Sequence, residues 1–131
     1  MAVLYVDDDE SICWLVGREW QKIFPNISIH TVCTPEEGLT KVEEISDALL
    51  AVVTDWRLIG GTAHRLIEEL RTQFPSLCII VTSAAFESRQ VQAARDAGAD
   101  EFIEKDLSIP VFVQKVAETI EQVIGKRGNQ S

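Results

Sequence analysis

The sequence predicts an α/β domain in which five parallel strands alternate with five helices. Two observations carry that class. Short apolar runs alternate with amphipathic, helix-spaced stretches from one end of the chain to the other. The central runs, residues 49–54 and 77–81, are continuously apolar, as in strands buried on both faces. Parallel strands need helical crossovers, so the sheet is expected to be covered on both sides.

The elements follow in order. Residues 3–6 are a β-branched-rich run closed by three aspartates. From Glu10 to Phe24, Ile12, Val16, Trp20 and Ile23 recur at helical spacing, and Pro25-Asn26 ends the helix. Residues 27–32 alternate with period two, as a strand does. Thr34-Pro35-Glu36-Glu37 predicts a helix start, with Thr34 as cap, Pro35 in the first turn and Glu37 closing a capping box. Leu39, Val42 and Ile45 share the inner face of that helix. Residues 49–54 form the third strand, which ends at Asp55. Gly60-Gly61 marks a loop, and Leu66, Ile67 and Leu70 stripe a third helix stopping near Phe74-Pro75. The fourth strand, residues 77–81, runs into Thr82-Ser83. A helix over residues 87–97 stops at Gly98, a left-handed position. Residues 101–103 form a short fifth strand ending at Glu104-Lys105. Ser108 caps a last helix with Val113, Val116 or Ala117, and Ile120 inward. Residues 1–124 thus form the domain and residues 125–131 a polar tail.

With 131 residues, 46% of them hydrophobic, one core can be filled but two cannot. The net charge of −9 disfavours direct nucleic-acid binding by this segment. No run approaches the ~20 apolar residues that span a bilayer. The N-terminus has no basic region before Asp7, so a cytoplasmic protein is expected. Cys13, Cys33 and Cys78 form no Cys-x-x-Cys pair and are expected to be reduced thiols. His30 and Cys33 are too few for a zinc site.

In open α/β sheets, ligands bind at the carboxyl ends of the strands. Here those ends carry Asp7, Asp8 and Asp9, then Asp55, then Thr82, then Lys105. Each alone has an ordinary explanation: a helix cap for Asp9, a strand-end threonine, a surface lysine. Together they do not, because capping does not require a buried apolar strand to end in a bare Asp facing two others. Clustered carboxylates raise one another's pKa unless a cation sits among them. Such an oxygen-rich site suits Mg²⁺. A carboxylate can accept a phosphoryl group, with metal and lysine offsetting the charge on its oxygens.

Over about residues 2–124 the chain resembles the receiver domains of two-component response regulators, with Asp7-Asp8, Asp55, Thr82 and Lys105 at the matching strand ends and Phe102 three residues before the lysine. The resemblance implies a flavodoxin-like (βα)5 three-layer sandwich with strand order 2-1-3-4-5. It implies that Asp55 is the phosphoacceptor and that Thr82 and Lys105 hold phosphoryl oxygens. It also implies Mg²⁺ on Asp8 and Asp55, on Asp7 through water, and on the backbone carbonyl of Arg57, with Thr82 and Phe102 forming the switch. The implied partners are a histidine kinase or histidine phosphotransfer protein and an output domain or downstream protein, and the family also admits a homodimer on phosphorylation.

The chain departs from the family pattern in the loops. Ile59 stands where Pro is usual, Ala63 where Gly is usual, and Asp106 where Pro usually follows the lysine. Gly60-Gly61 then makes the turn, and either the Lys105–Asp106 bond is cis, at a cost of about 3 kcal/mol, or the loop differs. Arg57 and Ala84 occupy the variable positions that tune dephosphorylation, with Arg57 leaning over the site or pointing to solvent. Two rivals use the same residues. Asp7-x-Asp9 resembles the nucleophile motif of haloacid-dehalogenase phosphatases, which leaves Asp55 unexplained. A pseudo-receiver would keep the fold and lose the chemistry.

Overall fold

The computed structural model describes residues 1–129. The elements are β1 (Ala2–Val6), α1 (Glu10–Ile23), β2 (Ser28–Val32), α2 (Pro35–Ile45), β3 (Leu49–Asp55), α3 (His64–Gln73), β4 (Cys78–Ser83), α4 (Ser88–Ala97), β5 (Glu101–Glu104) and α5 (Ile109–Asn129). The five strands form one parallel sheet in the order β2-β1-β3-β4-β5. This is the flavodoxin-like arrangement. Two-residue segments Arg57–Leu58 and Gly61–Thr62 pair separately as a small antiparallel hairpin.

Alternation along each strand divides the core into two layers. Leu4, Val6, Val52, Ile79 and Val81 face α2, α3 and α4, where Val42, Leu66, Ile67, Leu70 and Ala94 meet them. Val3, Tyr5, Val53, Ile80 and Ile103 face α1 and α5, against Cys13, Val16, Trp20, Phe112, Val116 and Ile120. On α1 the innermost positions are Cys13, Val16 and Trp20, whereas Ile12 and Ile23 are only partly covered.

Several local expectations change. Thr34 does cap α2, accepting from the Glu37 amide at 3.1 Å, but the Glu37 carboxylate accepts from the Thr34 hydroxyl instead of reaching back to its amide. The hairpin turn rests on Gly60, whose φ of +90° is open to glycine at little cost. The Lys105–Asp106 bond is trans, so the loop after β5 differs from the cis alternative. The residues expected as a polar tail continue α5 through Asn129, while Gln130 and Ser131 lie outside the described residues. The Arg127 guanidinium donates to the Ser76 carbonyl and to Asp100, anchoring α5 beyond Gly125. No helix among the described residues is long and apolar enough to cross a membrane.

Candidate functional site

Period two decides which side chains meet. Tyr5, Val53, Ile80 and Ile103 all point into the layer under α1 and α5. Two residues further along, past the apolar core, the same side of the sheet carries Asp7, Asp55, Thr82 and Lys105. The register of β3 on β4 sets Asp55 beside Thr82. Asp8, half-buried, completes the cluster: Asp7, Asp8 and Asp55 each offer a carboxylate oxygen within 4.8 Å of the others.

Asp7 is fully buried. Its Oδ2 accepts from the Tyr5 hydroxyl at 2.8 Å and from Lys105 Nζ at 2.7 Å, and its Oδ1 accepts from the Asp9 amide at 3.0 Å. Lys105 Nζ also donates to Asp55 Oδ2 at 3.1 Å, so one ammonium bridges two carboxylates. Asp9 turns away. Its Oδ1 accepts from the amides of Ser11 and Ile12 and caps α1, as its position after a strand suggested.

The electrostatics show an excess of negative charge. Burial pushes the Asp55 carboxyl above its usual range, Asp7 and Asp8 push it further, and Lys105 only partly opposes them. Burial alone would lower the Lys105 pKa. The hydrogen bonds and charges of Asp7 and Asp55 outweigh that, and it rises. The Tyr5 phenol is held protonated, by burial first and by Asp7 second. The donor set is all oxygen, which suits a hard divalent cation. Thr82 adds an independent sign: its Oγ1 is buried and has no hydrogen-bond partner among the described residues. Buried hydroxyls are rarely left so. The residues present therefore fit both Mg²⁺ and an oxyanion beside Asp55.

The sequence model of the response regulator receiver domain family matches residues 3–117. The chain belongs to that family. This receiver domain is similar to a cyclic di-GMP phosphodiesterase of Thermotoga maritima, 26% identical over 120 residues, which cover 92% of this chain and 31% of that protein. It is likewise similar to the regulatory protein VanRB of Enterococcus faecalis, 27% identical over 117 residues, covering 88% and 50%. The receiver domain thus spans half or less of the length of these curated relatives. A crystal structure of a CheY-like response regulator receiver domain protein from Methanospirillum hungatei superposes with a TM-score of 0.80 at 22% identity, over 95% of this chain and 97% of that one. The haloacid-dehalogenase alternative falls with the family assignment, and with Asp9 occupied as a helix cap.

The remaining expected residues are less central. Arg57 is exposed on the hairpin, and Ala84 is exposed after β4. Trp56 lies on the opposite side from Asp55, buried among Leu58, Ala63 and the α3 core. Phe102 is half-buried, edge-on to Phe86 with centroids 5.7 Å apart, and the Arg95 guanidinium lies 4.9 Å over its ring. Sequence reasoning missed Tyr5 and Cys13 as neighbours of the site. The Cys13 thiol contacts the Asp7 carbonyl at 3.2 Å. The available signal was Tyr5 itself, a side chain with a polar tip in a strand otherwise aliphatic.

Proposed function

We propose that this receiver domain takes a phosphoryl group onto Asp55 from a histidine kinase or histidine phosphotransfer protein. The observation that carries this is the pairing of Asp55 with Thr82 in register, with Lys105 on Asp55 Oδ2 and the Thr82 hydroxyl without a partner among the described residues. An Asp55 carboxylate oxygen attacks the phosphorus, the donor's P–N bond breaks, and the imidazole leaves with a proton. Lys105 turns from Asp55 to a phosphoryl oxygen, and the Thr82 hydroxyl donates to another. The carboxylates of Asp7, Asp8 and Asp55, with the Arg57 carbonyl, would hold Mg²⁺, which when bound offsets the charge on the transferring oxygens. Hydrolysis of the acyl phosphate by water regenerates Asp55 and releases phosphate.

Signalling then needs two states. Drawing Thr82 toward the phosphoryl group leaves room behind it that Phe102 fills by turning inward, away from Arg95 and Phe86. Because Arg95 belongs to α4, that turn removes a contact of α4 with β5 and frees α4 to shift. The two curated relatives carry different names over chains much longer than the matched segment. The output of this domain accordingly lies in an attached domain, a downstream protein or a second copy of the chain.

Acetyl phosphate labelling tests the reading. Incorporation is expected with Mg²⁺, and not with chelator or in Asp55→Asn. Labelling that persists in chelator, or none in the wild type with Mg²⁺ and a range of phosphodonors, would sink it. The second outcome is the one that a pseudo-receiver would give.

A further inference from the structure

We infer that Tyr5 is a positioning residue of the acidic site, its hydroxyl fixing the Asp7 carboxylate for cation binding and holding it there when Lys105 leaves. The inference rests on the reading that Asp7, Asp8 and Asp55 bind Mg²⁺.

Tyr5 lies within β1 and is 1% exposed. For packing alone, an aliphatic or Phe would serve, since its ring meets Phe112 edge-on at 6.2 Å. A buried phenol must instead find a hydrogen-bond partner, and this one donates to Asp7 Oδ2 at 2.8 Å. The same oxygen is shared with Lys105, whose ammonium also serves Asp55. The two donors differ in kind. Lys105 is a charged, flexible chain that the phosphoryl group will compete for. Tyr5 is neutral, and its ring is locked in the core, so it neither repels a cation nor follows the phosphoryl group.

With Tyr5 on Oδ2 and the Asp9 amide on Oδ1, both oxygens of Asp7 keep a fixed donor after Lys105 has gone. The Asp9 amide is itself held at the start of α1 by that residue's role as cap. The orientation of Asp7 is therefore set from two sides, by Tyr5 from the core side of β1 and by the Asp9 amide from the start of α1. Groups that orient a metal ligand in this way commonly change metal affinity by a factor of ten or more when removed.

Tyr5 is the chain's single tyrosine, which makes it its own probe. The chain labelled with 3-fluorotyrosine is titrated with MgCl2 and then with beryllofluoride, followed by fluorine NMR. In parallel, Mg²⁺ affinity is measured by calorimetry for wild type and Tyr5→Phe, and melting points are taken without metal. The inference predicts a resonance that moves saturably with Mg²⁺ and again with beryllofluoride. It predicts Mg²⁺ binding about tenfold weaker in Tyr5→Phe. Equal Mg²⁺ affinity in a folded Tyr5→Phe overturns the inference while the metal reading stands. If that variant does not fold, a fluorine resonance unmoved at Mg²⁺ saturation overturns it instead. Wild type that binds no Mg²⁺ overturns both.

Discussion

Single substitutions at the rim separate two opposing effects there, repulsion among carboxylates and their use as ligands. Mg²⁺ at ten times its dissociation constant is expected to add ~1.4 kcal/mol of stability, a melting rise of a few degrees for a domain this size. Asp8→Asn should lose most of that rise while leaving the metal-free melting point equal or higher. An undiminished rise in the variant, read by calorimetric melting across millimolar Mg²⁺, would contradict the assignment of Asp8. Thr82→Val tests the neighbouring hydroxyl. An unpartnered buried hydroxyl costs about 1–3 kcal/mol, and Thr82 Oγ1 is one. The nearly isosteric Val should therefore keep or raise the metal-free stability, yet slow labelling by acetyl phosphate. Denaturant unfolding that showed clear destabilisation would mean the hydroxyl has a partner after all. These five residues, Asp7, Asp8, Asp55, Thr82 and Lys105, were legible because each stands at or just past the carboxyl end of a strand, so topology brings them to one rim. Tyr5 and Cys13 were not, because periodicity tells which face a side chain takes and not which polar atom it meets there.

Among the elements, the loops carry most of the departures. Gly98 ends α4 with φ of +124°, and a Cβ placed there would come within 2.9 Å of Arg71 Cβ and Cγ. Arg71 cannot readily yield, because its guanidinium donates to the carbonyls of Gly98, Pro75 and Leu77 and to Asp100. Gly98→Ala is expected to cost roughly 1–3 kcal/mol while leaving Mg²⁺ affinity unchanged, since this network lies away from the acidic rim. Loss of stability near zero in chemical denaturation would show that the turn relaxes. The stop at Gly98 was readable from composition, as glycine ends helices in this way. The continuation of α5 past Gly125 was not. A glycine in a helix costs only about 1 kcal/mol, and the bonds of Arg127 to Ser76 and Asp100, far away in sequence, override it. The loop after β3 shows the same limit: Ile59 and Ala63 announced an unusual loop, but the antiparallel pairing of Arg57 with Thr62 depends on how the chain returns to α3.

For the whole molecule, the sheet order and its two-layered core follow from the alternation of short buried runs with amphipathic helices, which local patterns reveal well. Burial of titratable groups and the pairing of charges at the strand ends add a pH dependence that they do not. Tyr5, Lys105, Cys13 and Cys78 all have folded pKa values above their ordinary ones, the two thiols at about 12. Burial drives the thiols and the phenol up. For Lys105, the bonds to Asp7 and Asp55 outweigh burial. A raised folded pKa means that the native state holds the proton more tightly, so the stability tied to it is complete below the ordinary value and is lost as pH rises through the folded one. The ordinary values are 9.0 for the thiols, 10.0 for Tyr5 and 10.5 for Lys105. The metal-free melting point is therefore expected to hold from neutral pH to the ordinary thiol value and to fall steadily above it. A melting point flat across that alkaline range would contradict the burial of these groups. The central claim concerns Asp55, and one measurement reaches it directly. After reaction with acetyl phosphate and Mg²⁺, borohydride reduction converts an aspartyl phosphate to homoserine, and peptide mass spectrometry locates the changed residue. The account predicts homoserine at position 55 and at no other aspartate. Homoserine at position 7, 8 or 9, with Asp55 unchanged, would contradict it.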